Sequence, residues 1–121
     1  MTILRILITG SRHYSDKKRV DVIFRNVMKR FENDEYVLIS GNARGADALC
    51  EEVAEELGWK VERFPADWNK YGKRAGGIRN QIMVDSGADL CLAFPLDSSI
   101  GTWDCVRRAK KAGILTKVFQ G

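Results

Sequence analysis

"LISGNARGAD", residues 38–47, is the stretch whose reading decides the fold. The apolar run Tyr36-Val37-Leu38-Ile39 has strand character and stops at Ser40-Gly41. Four residues on stands Gly45, and after it Ala46, Leu49, Cys50, Val53, Ala54 and Leu57 recur at the spacing of one helix face. Gly58 is placed to end that helix. A strand that leaves through two glycines and turns into a helix is one half of a strand–helix–strand unit. Glycines in such a turn let backbone N–H groups approach a ligand closely, and the helix start favours an anion.

The same alternation extends in both directions. Five runs have strand character: residues 3–9, 36–40, 60–64, 90–94 and 115–119. The first, fourth and fifth are nearly continuous in apolar residues, as strands covered on both faces are. Helical spacing fills the gaps. Val20, Ile23, Phe24, Val27, Met28 and Phe31 mark one helix, with Ser15 or Asp16 as N-cap. Ile78, Ile82 and Met83 mark another, stopping near Gly87, and Trp103, Val106, Ala109 and Lys110 a last one, stopping at Gly113. Such alternation predicts an α/β fold: a single doubly wound, Rossmann-like domain over residues 1–121, with about five parallel strands and helices on both faces.

Bulk composition agrees. With 121 residues the chain suits one core, and a domain of this size buries roughly two thirds of its unfolded surface. No apolar run approaches the ~20 residues that span a bilayer. "MTILRILITG" carries Arg5 inside its apolar stretch and reads as a first strand rather than a leader. Cys50, Cys91 and Cys105 are odd in number and widely spaced, which argues against a disulfide framework or a zinc site and for a cytoplasmic setting. No metal or cofactor is expected. The net charge of +4 lies wholly in residues 61–121, which carry ten Lys/Arg against six Asp/Glu. "WNKYGKRAGGIRN", residues 68–80, holds Lys70, Lys73, Arg74 and Arg79 and no acid, a field that suits phosphate or is simply a solvated face.

In a doubly wound sheet, ligands bind beyond the carboxyl ends of the strands. The candidate residues therefore follow the strands: Gly10, Ser11 and Arg12; Gly41, Arg44, Gly45 and Asp47; Arg79 and Asn80; Ser98, Ser99, Gly101 and Thr102. Arg supplies planar, bidentate donors to phosphate or carboxylate. Asp47 either accepts a hydrogen bond from a ribose or base, or satisfies backbone N–H groups of its helix's first turn. Trp68 either stacks a base or closes an edge of the core. Glu51, Glu52, Glu55 and Glu56 read as a solvated helix face. Gly41-x-x-x-Gly45 is neither a Gly-x-Gly-x-x-Gly fingerprint nor a P-loop, so dinucleotide oxidoreduction and P-loop ATP hydrolysis lack support. His13 stands alone, which leaves little material for a His-based metal site or a Ser–His–Asp triad.

"ITGSRHY", "SGNARGADAL", "PADWNKYGKRAGGIRNQIM" and "SSIGTWD" together resemble the SLOG superfamily of Rossmann-like proteins, nearest to its small YspA/YpsA-related branch. "SGNARGADA" followed by "RNQIM" resembles the core of DNA processing protein A, which binds single-stranded DNA. "GGIRNQIM" and "IGTWD" resemble the paired motifs of the Lonely Guy phosphoribohydrolases, which cleave the N-glycosidic bond of nucleoside monophosphates. The second resemblance places Arg79 on a catalytic arginine and Gly101-Thr102 on a phosphate-binding Gly-Thr. The glutamate expected three residues after the Thr is Cys105 here; Asp104 is shifted by one position, about 100° around a helix. The resemblances thus imply a phosphorylated, nucleotide-like small molecule as ligand. Two alternatives stand beside it: a hydrolase using Arg79 with Asp104 or Asp47 as its acid, and a weak single-stranded nucleic-acid binder. No membrane partner is implied, and association into a homo-oligomer stays open.

Overall fold

The computed structural model describes residues 1–96 and 98–120. All five strands join one parallel sheet in the order β3-β2-β1-β4-β5. They are β1 (Ile3–Gly10), β2 (Glu35–Ser40), β3 (Lys60–Arg63), β4 (Leu90–Phe94) and β5 (Leu115–Val118), each within a residue or so of the run read from the sequence. The helices are α1 (Lys17–Arg30), α2 (Ala46–Glu56), the short α3 (Trp68–Tyr71), α4 (Ala75–Asp85) and α5 (Ile100–Lys111). The chain winds from β1 outward to β3, then returns across the sheet to β4 and β5, so α1 and α2 cover one face and α4 and α5 the other. No helix among the described residues is long and apolar enough to cross a membrane.

Local chemistry sets the helix ends. Asp16 caps α1 by accepting the Arg19 N–H at 3.1 Å, worth about 1 kcal/mol. Gly58, at φ +80°, closes α2 with paired bonds, its own N–H to Glu55 and that of Trp59 to Ala54. The larger core lies under α1 and α2, where Phe24, Tyr36 and Trp59 stack at centroid distances of 4.7 and 5.3 Å. The smaller one sets Leu7 and Ile39 against Met83, Val84, Cys105 and Ala109.

Three expectations are corrected. The apolar run 115–119 is not doubly covered: the returning chain makes β5 an edge, and Leu115 is 56% exposed. β2, not among the runs read as covered on both faces, is interior instead, with five of its six residues buried. The helix marked by Ile78, Ile82 and Met83 starts earlier, at Ala75, so Gly76 and Gly77 lie within it and Arg79 begins its second turn, clear of the strongest dipole field.

Candidate functional site

At the switch point of the strand order the carboxyl ends of β1 and β4 lie side by side, and a cleft of about 920 Å³ opens above them. Thr9, Gly10 and Ser11 bring β1 and its turn to the cleft. Gly76, Gly77, Arg79 and Asn80 of α4 face Ser99, Gly101, Thr102 and Asp104 at the start of α5. Arg12, His13, Trp68, Lys73, Arg74 and Ser98 also line it. Glycine at 77 admits the neighbouring helix: a Cβ there would meet the Arg108 guanidinium at 3.3 Å.

Arg79 is held by a polar chain that links α5, α4 and the β2 turn. Asn80, only 4% exposed, donates its amide to Asp104 Oδ2 (3.1 Å) and to the Gly101 carbonyl (3.2 Å). Its Oδ1 accepts from Arg79 Nε at 3.0 Å, while Arg79 Nη1 donates to the Gly41 carbonyl at 2.6 Å. Asp104 is itself gripped by Arg107 and by Arg108 Nε at 2.8 Å. Burial pushes its carboxyl up, but the Arg108 and Asn80 bonds outweigh that and hold it below the usual carboxylate range. Asp104 is therefore an anion held in place by these donors, and it orients Asn80. Arg79 forms no salt bridge with Asp104, whose ion pairs are to Arg107 and Arg108; Asp97 lies outside the described residues.

Asp47 is the second carboxylate of the cleft and differs in kind. It is 6% exposed, and its Oδ2 accepts the Ala43 N–H at 3.1 Å. Burial pushes its carboxyl up to about 6, against the pull of that hydrogen bond and of the Arg79 charge. Asp47 thus serves the backbone just before its helix and still lines the cleft. Cys105, at the position of the expected glutamate, is fully buried, and burial pushes its thiol up to about 11.

Several candidates part from the group. Gly41, Arg44 and Gly45 are absent from the cleft lining. The side-chain space of Gly41 is taken by the Arg79 guanidinium and Asp47, and that of Gly45, at φ +77°, by the backbone of Ser11 and Arg12. The two glycines that opened the reading thus admit the protein's own groups, and Arg44 is exposed outside the cleft. Ser11 is largely spent on its own turn, its Oγ accepting the His13 N–H and its carbonyl the N–H groups of Tyr14 and Ala46. Ser99, at φ +21°, heads α5 with its Oγ 2.6 Å from that of Thr102.

The structure also adds to the cleft. Trp68 is 49% exposed rather than closing the core, with Arg12 over its ring at 5.9 Å. Among the described residues Arg12, Lys73 and Arg74 have no carboxylate partner, which leaves the rim positive. Glu51 leaves the solvated face assigned to it: it is 8% exposed, accepting Ser40 Oγ at 2.6 Å and Arg63 Nε at 2.8 Å. Arg108 lay four residues beyond Asp104 in the sequence, a helical pairing signal available without a structure.

The sequence pattern of the YspA, cpYpsA-related SLOG family matches residues 4–71, from β1 through α3. The chain belongs to this SLOG family. A similar protein is the gene 61 protein of Mycobacterium phage D29, 44% identical over 115 residues, or 91% of each chain. Among solved structures, DNA processing protein A of Streptococcus pneumoniae shares the fold with a TM-score of 0.75 at 17% identity. The Helicobacter pylori DNA processing protein A, whose structure concerns its single-stranded DNA binding mode, aligns with a TM-score of 0.64 at 19% identity. The alignments cover 98% and 97% of this chain but 50% and 65% of those proteins. The matched SLOG segment ends before Lys73, Arg79 and α5, so the side of the cleft formed by α4 and α5 lies outside it.

Proposed function

We propose that the cleft binds nucleotides through their phosphates, with single-stranded DNA as the partner. The observation that supports it most is the cationic rim of Arg12, Lys73 and Arg74, unpaired among the described residues, beside half-exposed Trp68. Basic groups that track a backbone, next to an aromatic ring on which a base stacks, are the elements of single-strand recognition. The fold likeness to DNA processing protein A, one of whose structures describes single-stranded DNA binding, points the same way. A free nucleotide is the second reading. It is supported by the floor of the cleft, where Arg79 keeps donor capacity beyond Gly41 and Asn80, close to the start of α5. Hydrolysis has less behind it, because buried Cys105 stands where the carboxylate is expected and Asp104 is tied up.

The test is a salt titration of a fluorescent single-stranded oligodeoxynucleotide against a 5′-mononucleotide competitor. The expected result is binding of the strand whose logarithmic affinity falls with slope roughly −0.7 per phosphate contacted. Mononucleotide binding without strand binding would establish the second reading, and binding of neither would overturn both.

A further inference from the structure

The carboxylate of Asp47 is more than nine-tenths buried, faces the cleft and forms no ion pair among the described residues. One oxygen, Oδ2, accepts the Ala43 N–H; among the described residues no hydrogen bond reaches Oδ1, which is open to the cleft. The other cleft carboxylate, Asp104, has donors on both oxygens. A buried acid left half-satisfied at the edge of a cleft is the arrangement of a group that waits for a donor. We infer that Asp47 reads two adjacent neutral donors on the nucleoside part of the ligand, an inference that rests on the nucleotide-binding reading above.

Charge sets the direction. A carboxylate repels phosphate, so the phosphate is drawn toward Lys73, Arg74 and the start of α5, and the nucleoside turns toward Asp47. Few nucleoside features then suit it. Adenine and cytosine present a donor beside a bare ring nitrogen, and thymine or uracil an N–H between two carbonyls; each puts a lone pair against the carboxylate. Guanine alone among the bases places a ring N–H and an amino group side by side. In a free ribonucleotide the 2′,3′-diol offers the same chemistry from the sugar; single-stranded DNA has no such diol and leaves only the base.

Calorimetric titration of wild type and Asp47→Asn with four 5′-monophosphates separates these sources. Guanosine against inosine monophosphate reports the 2-amino group, and guanosine against 2′-deoxyguanosine monophosphate the diol; adenosine monophosphate is the base control. The wild type is expected to discriminate at least about 10-fold in one of the two pairs, and Asp47→Asn, shown folded by its melt, to bring that ratio within about threefold. Wild type that discriminates in neither pair overturns the inference without need of any variant, as does a ratio preserved in Asp47→Asn. Both results leave phosphate binding standing. Failure of the wild type to bind all four ligands and the oligonucleotide overturns the functional reading, and this inference with it.

Discussion

Replacing Asp47 by Asn changes one charge at constant size and yields a prediction in both sign and magnitude. Burial raises the Asp47 carboxyl from 3.8 to about 6. The charged groups facing it are Arg79 from α4 and Arg12 from the β1 turn, which favour ionisation, and Glu51 from its own helix, which opposes it. Because the folded value exceeds the unfolded one, this group's contribution to stability is fully present below pH 3.8 and is lost as pH rises through about 6. At 1.36 kcal/mol per unit, the ionised carboxylate costs the fold about 3 kcal/mol at neutral pH. Asparagine cannot ionise, and its amide oxygen still accepts the Ala43 N–H. Asp47→Asn is therefore expected to be more stable than wild type by about 3 kcal/mol above about pH 7, or about 10 °C in Tm, with the gap closing toward about pH 4. Urea unfolding of both proteins across this range, monitored by circular dichroism, measures the gap. A gap independent of pH, or a variant less stable than wild type at neutral pH, would refute the account of Asp47 as a carboxylate kept at the expense of stability.

Other outcomes follow from the same geometry. Arg79→Ala should weaken the ligand roughly 10- to 150-fold in calorimetry, since charged hydrogen bonds contribute about 1.5–3 kcal/mol, and Arg79→Lys should recover only part because the planar fork is lost. Joint replacement of Lys73 and Arg74 by Ala should flatten the salt dependence of oligonucleotide binding by about 0.7 per contact removed, read by fluorescence anisotropy; an unchanged slope would take the strand off that rim. Gly45→Ala should destabilise by about 3 kcal/mol or more, from a backbone (φ +77°, ψ −125°) that only glycine adopts readily plus collision with the Ser11–Arg12 backbone, whereas Gly58→Ala, with a similar φ but open space, should cost only about 1 kcal/mol in thermal melts. Phe24→Ala should cost about 3–5 kcal/mol, because the fully buried ring stacks on Trp59.

How far the sequence could be read depended on the range of the interactions involved. Period and punctuation are local. The alternation of apolar runs with helical faces, closed by Asp16, Gly58 and Gly113, was enough to place five strands and the α/β class, because caps and strands answer to neighbours a few residues away. The rim also followed, since a parallel sheet turns every strand's carboxyl end the same way. Lateral order carries no such mark. Whether the apolar 115–119 run lay inside the sheet or at its edge was settled only when β4 paired with β1 and pushed β5 outward. Glycine is the most ambiguous letter, because what fills the space beside it comes from elsewhere in the chain. Gly41 and Gly45 were legible as close-approach sites, but only the tertiary structure could say that Arg79 and the β1 turn make the approach. The acids follow the same rule: the sequence offers Asp104 a partner in Arg108 four residues on, but says nothing of how deeply either it or Asp47 is buried. The fold separates them by placing Arg108 and Asn80 on one and burying the other beside Arg79, since proton affinity is set by burial and neighbours in space.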